Sequence, residues 1–324
     1  MKQKDVNKAL LLGGLTAAAV AAASVTAYLT TRMLVQVALD RNKPLLLQRT
    51  EGKIARDMVG EDFLKAVDAY GAALAAKPHE LVELAARDGS VLLGHWFPCK
   101  NAKRTVIAMH GWRSAWYRDF GMISDFLFAQ KCNVLFVEQR GQNDSGGEYM
   151  GFGLTERYDC VDWVRWAADR CGDKLPIYLL GVSMGATTVL MATGLDLPMQ
   201  VHGVIADCGF TSPYEIWKHV ANNNLHITFG VRGAVADALC RKKIGVGTRE
   251  YSTVKALEKC TVPVMFVHGA ADSFVPIRMT YENYRACVGP KKLLVVPGAD
   301  HTMSYYLDKE EYEEMAADFF KKYD

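Results

Sequence analysis

Leu175-Pro176-Ile177-Tyr178-Leu179-Leu180-Gly181-Val182-Ser183-Met184-Gly185 decides the fold. An apolar run reads as a buried strand, and it ends in a serine flanked two residues away on each side by glycine. A sharp strand-to-helix turn holds its central residue in a strained backbone conformation and tolerates only neighbours without bulky Cβ atoms. Gly181 and Gly185 supply that room, and the turn lifts the Ser183 hydroxyl out of the interior as a candidate nucleophile. The segment that follows, from Met184 through Ala186, Thr187, Val189, Leu190 and Met191, reads as a helix. Its N-terminal amides and dipole face the serine, where negative charge would develop in acyl transfer.

Two signals follow downstream. Val262-Pro263-Val264-Met265-Phe266-Val267-His268-Gly269 reads as a buried parallel strand whose loop carries Asp272 ahead of Phe274-Val275-Pro276. Lys292-Leu293-Leu294-Val295-Val296 reads as another strand, and its loop Pro297-Gly298-Ala299-Asp300-His301 sets an imidazole at the same carboxyl edge. The chain order serine, acid, histidine is that of α/β-hydrolases. His301 is thereby expected as general base and Asp272 as the carboxylate that orients it. Asp207, at the end of the strand Gly203-Val204-Ile205-Ala206, is the rival acid, while Asp300 reads as a loop residue. His268, inside an apolar strand, reads as a hydrogen-bonded core histidine. His79, His202, His219 and His226 have no ligand spacing, so neither metal nor other cofactor is implied.

Acyl transfer also needs donors for an oxyanion. The backbone N–H of Met184 is one. The second is expected after the strand Thr105-Val106-Ile107-Ala108-Met109, in the turn His110-Gly111-Trp112, from the Trp112 amide.

From about Leu81 to the C-terminus these motifs resemble an α/β-hydrolase of the prolyl-oligopeptidase and serine-aminopeptidase-like branch, similar to membrane-anchored hydrolases of Gram-positive bacteria. The resemblance is carried by His110-Gly111-Trp112, Glu138-Gln139-Arg140-Gly141-Gln142-Asn143-Asp144-Ser145-Gly146-Gly147, the turn around Ser183, Asp207-Cys208-Gly209-Phe210-Thr211-Ser212, and the Asp272 and His301 loops. It implies a serine hydrolase; cleavage of carboxylic esters through an acyl-enzyme on Ser183 is the expected activity, with a peptidase acting on short peptides as the alternative. Glu138 departs from the aspartate usual in relatives, and Gln142-Asn143 from a frequent histidine and glycine.

The rest of the chain agrees with that fold class, a mostly parallel central sheet with helices on both faces, N-terminal hairpin strands and an inserted helical cap. Leu81–Ala86 and Val91–Phe97, joined through Asp88-Gly89, read as a hairpin. Strand and helix patterns then alternate, and near-continuous apolar strands imply a sheet covered on both faces. About fifty residues separate the strands ending at Ala206 and starting at Val262, more than a crossover needs. A cap at about 209–255 is expected, with Phe210 and Trp217, together with Phe274 beyond it, walling an acyl pocket.

The chain has 324 residues, is 50% hydrophobic and carries a net charge of +2, which argues against a nucleic-acid binder. Three regions are expected: 1–38 as an N-terminal transmembrane anchor, 39–80 as a helical stalk, and 81–324 as the catalytic domain. Ala9–Thr31 has no charged residue and is long enough to span a bilayer. Its Val25-Thr26-Ala27 leaves a cleaved signal peptide as an alternative. Lys2, Lys4 and Lys8 before the span nearly balance Arg32, Arg41, Lys43 and Arg49 after it. The resemblance implies an extracytoplasmic catalytic domain. The eight cysteines show no paired spacing and predict no disulfide framework. A catalytically silent, membrane-anchored binding protein is the alternative from another class.

Overall fold

The computed structural model describes residues 3–42, 60–172 and 175–324, with side chains from residue 20 onward. Eight strands form one sheet: β1 (Glu80–Ala85), β2 (Val91–Phe97), β3 (Arg104–Met109), β4 (Cys132–Val137), β5 (Ile177–Val182), β6 (Val201–Asp207), β7 (Val264–Gly269) and β8 (Lys291–Val296). Their spatial order is β1-β2-β4-β3-β5-β6-β7-β8. β1 and β2 pair antiparallel as the expected hairpin, with Ala85 opposite Val91. β2 joins β4 antiparallel, and all later pairings are parallel. β3, β4 and β7 are buried along their whole length, as strands covered on both faces must be.

The helices alternate with the strands. After α1 (Gln3–Leu39) and α2 (Glu61–Ala75) come α3 (Trp116–Ala129), α4 (Glu156–Cys171), α5 (Met184–Ala192), α6 (Pro213–His219), α7 (Gly230–Ile244), α8 (Thr253–Leu257), α9 (Arg278–Ala286), α10 (Ser304–Leu307) and α11 (Lys309–Tyr323). One core, around Trp163, Leu135, Leu179 and Phe266, fills the sheet face under α4 and α5. The other holds Phe120, Phe136, Tyr178 and Phe320 under α3 and α11. Because the chain passes from β3 outward to β4 and returns to β5 on the other side, the strand order reverses between β3 and β5. Ligands of open α/β sheets bind beyond the strand ends at such a reversal, and the Ser183 turn lies there.

Residues 209–255, the expected cap, hold α6, a π-helical turn at Val220–Asn224, α7 and the start of α8. A third apolar cluster joins this region to the carboxyl edge through Phe152, Met184, Phe210, Phe229 and Val275. α1 contributes to the same cluster, since Val35 and Leu39 are buried in it. The segment expected to be a stalk, with apolar Ile54, Met58, Leu64, Val67 and Leu74 at near-helical spacing, includes residues 43–59, which lie outside the described residues. Its remainder, α2, buries Phe63, Val67, Gly71 and Leu74 and packs on α3.

The membrane-crossing expectation for Ala9–Thr31 finds no support. Among the described residues no helix is long and apolar enough to cross a membrane. Within α1, Ser24, Thr26, Thr30 and Thr31 turn their hydroxyls back onto the carbonyls four residues earlier. Side chains of 9–19 lie outside the described residues. All eight cysteines are free thiols.

Candidate active site

Gly181 and Gly185 are required by contact rather than by backbone angle. A Cβ on Gly185 would sit 1.8 Å from the Met109 carbonyl oxygen, and one on Gly181 would sit 2.4 Å from the Gly185 backbone. The turn can therefore close only with glycine at both places. Ser183 between them has φ +54°, a left-handed conformation that an L-residue holds at a cost of about 1–3 kcal/mol. Its amide donates to the Asp207 carbonyl (2.8 Å), which ties the turn to the end of β6.

The structure brings the three distant side chains together. His301 Nε2 lies 2.9 Å from Ser183 Oγ, and His301 Nδ1 lies 2.8 Å from Asp272 Oδ2. The other Asp272 oxygen accepts the amides of Phe274 (3.0 Å) and Val275 (2.8 Å), so the carboxylate is aimed by its own loop. Burial favours the neutral acid, but the facing His301 and the hydrogen bonds from His268 and His301 outweigh it and hold Asp272 well below the usual carboxylate range. Burial likewise disfavours a charged His301, and the Asp272 charge overrides this, leaving the imidazole pKa raised. Phe274 lies against the His301 ring, centroids 5.2 Å apart.

His268 is fully buried and hydrogen-bonded, with Nδ1 2.7 Å from Thr280 Oγ1 and Nε2 2.8 Å from the Val275 carbonyl. Nε2 must carry the proton to meet that carbonyl, and it also lies 3.2 Å from Asp272 Oδ2. The core histidine is thus a second support for the acid, a contact no periodicity announces. Asp300 accepts from the Ser273 amide (2.9 Å) and from the His301 amide (2.7 Å), stapling the acid and histidine loops to each other.

Asp207 is placed differently. Its carboxyl meets Ser304 Oγ at 3.4 Å and the Tyr312 hydroxyl, and it lines a cavity of about 180 Å³ with Phe63, Ser114, Thr302 and Tyr305. Burial pushes its pKa up to about 6, and among the described residues it makes no hydrogen bond to His301. Cys208, with φ +49°, is a neighbour the sequence did not reveal. Its Sγ and donor atoms of Asp272 and His301 all lie within 4.8 Å of one another. Burial raises the thiol well above its ordinary range, and the imidazole and carboxylate are engaged with each other, so this trio suits proton handling better than metal binding.

The two expected oxyanion donors flank the serine. Met184 opens α5, where an amide has no intrahelical acceptor. The turn after β3 abuts the serine, since a Cβ on Gly111 would lie 3.4 Å from Ser183 Cβ. That turn is braced by Asp119, which accepts the Gly111 amide at 2.6 Å and also the Ser114 hydroxyl, and by Gln142 Oε1, which accepts the Arg113 amide at 2.5 Å. Asn143 Nδ2 donates to the Ser114 carbonyl at 3.1 Å. Gln142 and Asn143, the positions that depart from relatives, are thus loop braces. Glu138, the other departure, uses its longer arm to reach His95 (2.9 Å) and the amides of Asp144 (2.8 Å) and Ser145 (3.2 Å).

Of the expected pocket residues, Phe210 is buried 5.9 Å from the Phe152 ring, and Trp217 meets the same ring edge-on at 5.5 Å. Phe152 also neighbours Trp112 at 6.0 Å. The aromatic wall therefore begins at the loop that carries the expected oxyanion donor.

Comparison with known proteins places this arrangement. The family model described as the prolyl oligopeptidase family matches residues 119–323, more than half of the chain. The uncharacterized protein YqkD of Bacillus subtilis is 27% identical over 187 residues, which is 58% of this chain and 61% of YqkD. Among solved structures, the Pyrococcus furiosus esterase PF2001 superposes with a TM-score of 0.63 at 22% identity, covering 76% of this chain and 91% of the esterase. A puromycin-hydrolyzing peptidase of Mycobacterium tuberculosis superposes with a TM-score of 0.57 at 15% identity, covering 76% and 39%. By its fold and by the match across all three converging side chains, the chain belongs to the prolyl oligopeptidase family, serine hydrolases built on the α/β-hydrolase fold.

Proposed function

We propose that the protein hydrolyses carboxylic esters with apolar acyl groups in two steps. Ser183 attacks the carbonyl as His301 takes its proton, and Asp272 stabilises the imidazolium. The Met184 and Trp112 amides bind the oxyanion, and the protonated His301 then gives its proton to the departing alcohol. Water, activated by the same imidazole, releases the acid. The observation that carries this reading is the unbroken pair of hydrogen bonds from Asp272 through His301 to Ser183.

The choice of ester over peptide rests on the surroundings of the site. An esterase and a peptidase both superpose on this fold, with TM-scores of 0.63 and 0.57, and at such low identity the likeness speaks for the fold alone. A short-peptide site of the aminopeptidase kind needs a carboxylate for the substrate ammonium. Here the nearby carboxylates have other partners: Asp272 holds His301, Asp300 holds Ser273, Asp119 holds Gly111, and Glu156 accepts the Gly151 and Gly153 amides. The apolar cluster that takes in Met184, the residue after Ser183, holds Phe152 and Phe210 with Trp217 and Phe274 packed against them. A panel of p-nitrophenyl esters of two to twelve carbons, run against aminoacyl and dipeptidyl anilides, is expected to show turnover of the esters. Cleavage of the anilides with every ester untouched would establish the peptidase instead.

The raised His301 pKa sets a pH dependence. Only the neutral ring accepts the serine proton, so kcat/KM rises with pH through the imidazole pKa. The acid limb on a neutral ester is expected above about 6.5, the unperturbed histidine value. A limb below that value contradicts an imidazole held beside an ionised Asp272.

A further inference from the structure

The C-terminal end of α1 is bound by the loop that carries the expected oxyanion donor. A helix leaves its last carbonyls without intrahelical donors. Here the Trp112 indole N–H donates to the Ala38 carbonyl at 2.9 Å. The Arg113 guanidinium donates to the Val37 carbonyl at 2.8 Å and to the Asp40 carbonyl at 2.5 Å. A third contact reaches the Arg41 carbonyl at 3.3 Å. The Leu39 carbonyl accepts from the Met150 amide at 2.7 Å. A cation at a helix C-terminus also meets the negative end of the helix dipole. From the other side, Arg41 donates to the carbonyls of Asn143 and Ser145 in the glycine-rich loop, and Lys243 of α7 pairs with Asp40 at 2.7 Å. Leu39 and Val35 bury the apolar side of the same helix end.

Arg113 has φ +53°, a left-handed conformation held against its intrinsic preference. Its amide is fixed by Gln142 and its side chain by α1, and the residue before it supplies the oxyanion amide. We propose that Arg113 and the Trp112 indole are positioning residues, and that they hold the oxyanion-binding amide in place by anchoring the loop to the end of α1. The first helix is then a working part of the site. This rests on the hydrolase reading above, because it assigns the loop a duty only in a reaction that builds an oxyanion.

The test uses the full-length chain and the variants Trp112→Phe, Arg113→Met and Leu39→Ala. Trp112→Phe keeps the ring and the backbone amide and deletes only the N–H that reaches α1. A mispositioned oxyanion donor weakens the transition state more than the substrate complex, so kcat on a p-nitrophenyl ester is expected to fall about 10- to 100-fold with KM within about twofold. Labelling by a fluorophosphonate is expected to slow in parallel, while the acid limb of the pH profile stays where it is, since Asp272 and His301 are untouched. Leu39→Ala, which loosens the packing of the α1 end, is expected to lower kcat in the same way. Combined with Arg113→Met it adds less than the product of the two losses, because both break one clamp. Where Arg113→Met fails to fold, Trp112→Phe decides. Variants that react within about twofold of a reactive wild type overturn the inference. A folded wild type that neither labels nor turns over esters overturns the hydrolase reading beneath it.

Discussion

Ser183→Ala is expected to abolish fluorophosphonate labelling and to lower ester turnover by about five to six orders of magnitude, the loss typical when a serine nucleophile is removed from such machinery. Two observations set the size of the effect. The hydroxyl lies 2.9 Å from His301 Nε2, so its proton has a base at hand, and the Ser183 turn is built so tightly that no other hydroxyl can take its place. Thr187 and Thr188 on the following helix are fully buried and engaged, with the Phe210 backbone and with Gln139 respectively. The substitution removes one oxygen from a folded turn and leaves the pocket in place, so the melting temperature and the binding of a non-hydrolysable ester analogue are expected to stay near wild type. Residual labelling in the folded variant would mean that another nucleophile carries the chemistry. An unlabelled, folded wild type would instead favour the catalytically silent binding protein.

How much of this was legible beforehand follows from the range of each interaction. The strands announced themselves because a sheet covered on both faces demands continuous apolar runs, and Val134 through Val137 or Val264 through Val267 have no other use. The hairpin was legible because Asp88-Gly89 encodes a tight turn locally, with Gly89 at φ +83°. The converging serine, acid and histidine were legible although 118 residues separate Ser183 from His301, because parallel topology sends every strand's carboxyl end to one edge. What stayed hidden depends on contacts between distant, aperiodic positions. Arg113 reaches Val37 across 76 residues, and nothing in the loop sequence names a helix carbonyl as its partner. The same holds for His95, stacked on Trp116 and bonded to His79 and Glu138, and for Cys208 beneath the acid. The part played by the end of the first helix was equally hidden. Only tertiary packing shows Val35 and Leu39 buried in the apolar cluster of residues 209–255, with Arg113 meeting the Val37 carbonyl and Lys243 pairing with the Asp40 carboxylate.

The assignment of the acid gives the second large effect. Asp272→Asn is expected to lower kcat by about three to four orders of magnitude, because the amide cannot balance an imidazolium and invites the wrong ring tautomer. The acid limb of the pH profile is expected to move down at the same time, since the charge that raises His301 is gone. Asp207→Asn is expected to change kcat by less than about tenfold, because its carboxyl bonds Ser304 and Tyr312 and acts on His301 only through space. The same variant should change stability with a definite sign. Burial raises the Asp207 pKa to about 6 in the folded chain, so the native state holds a proton that the unfolded state releases near about 4. Wild-type stability therefore falls as pH climbs from about 4 through about 6, and that fall is fully present at pH 8. An asparagine carries no charge to bury and still accepts from both hydroxyls, so Asp207→Asn is expected to melt no lower than wild type at pH 8 and to lose that part of the pH dependence. Chemical denaturation at pH 4.5 and pH 8, run beside the ester kinetics, reads both effects. A larger loss of turnover in Asp207→Asn than in Asp272→Asn would move the acid from the loop after β7 to the end of β6.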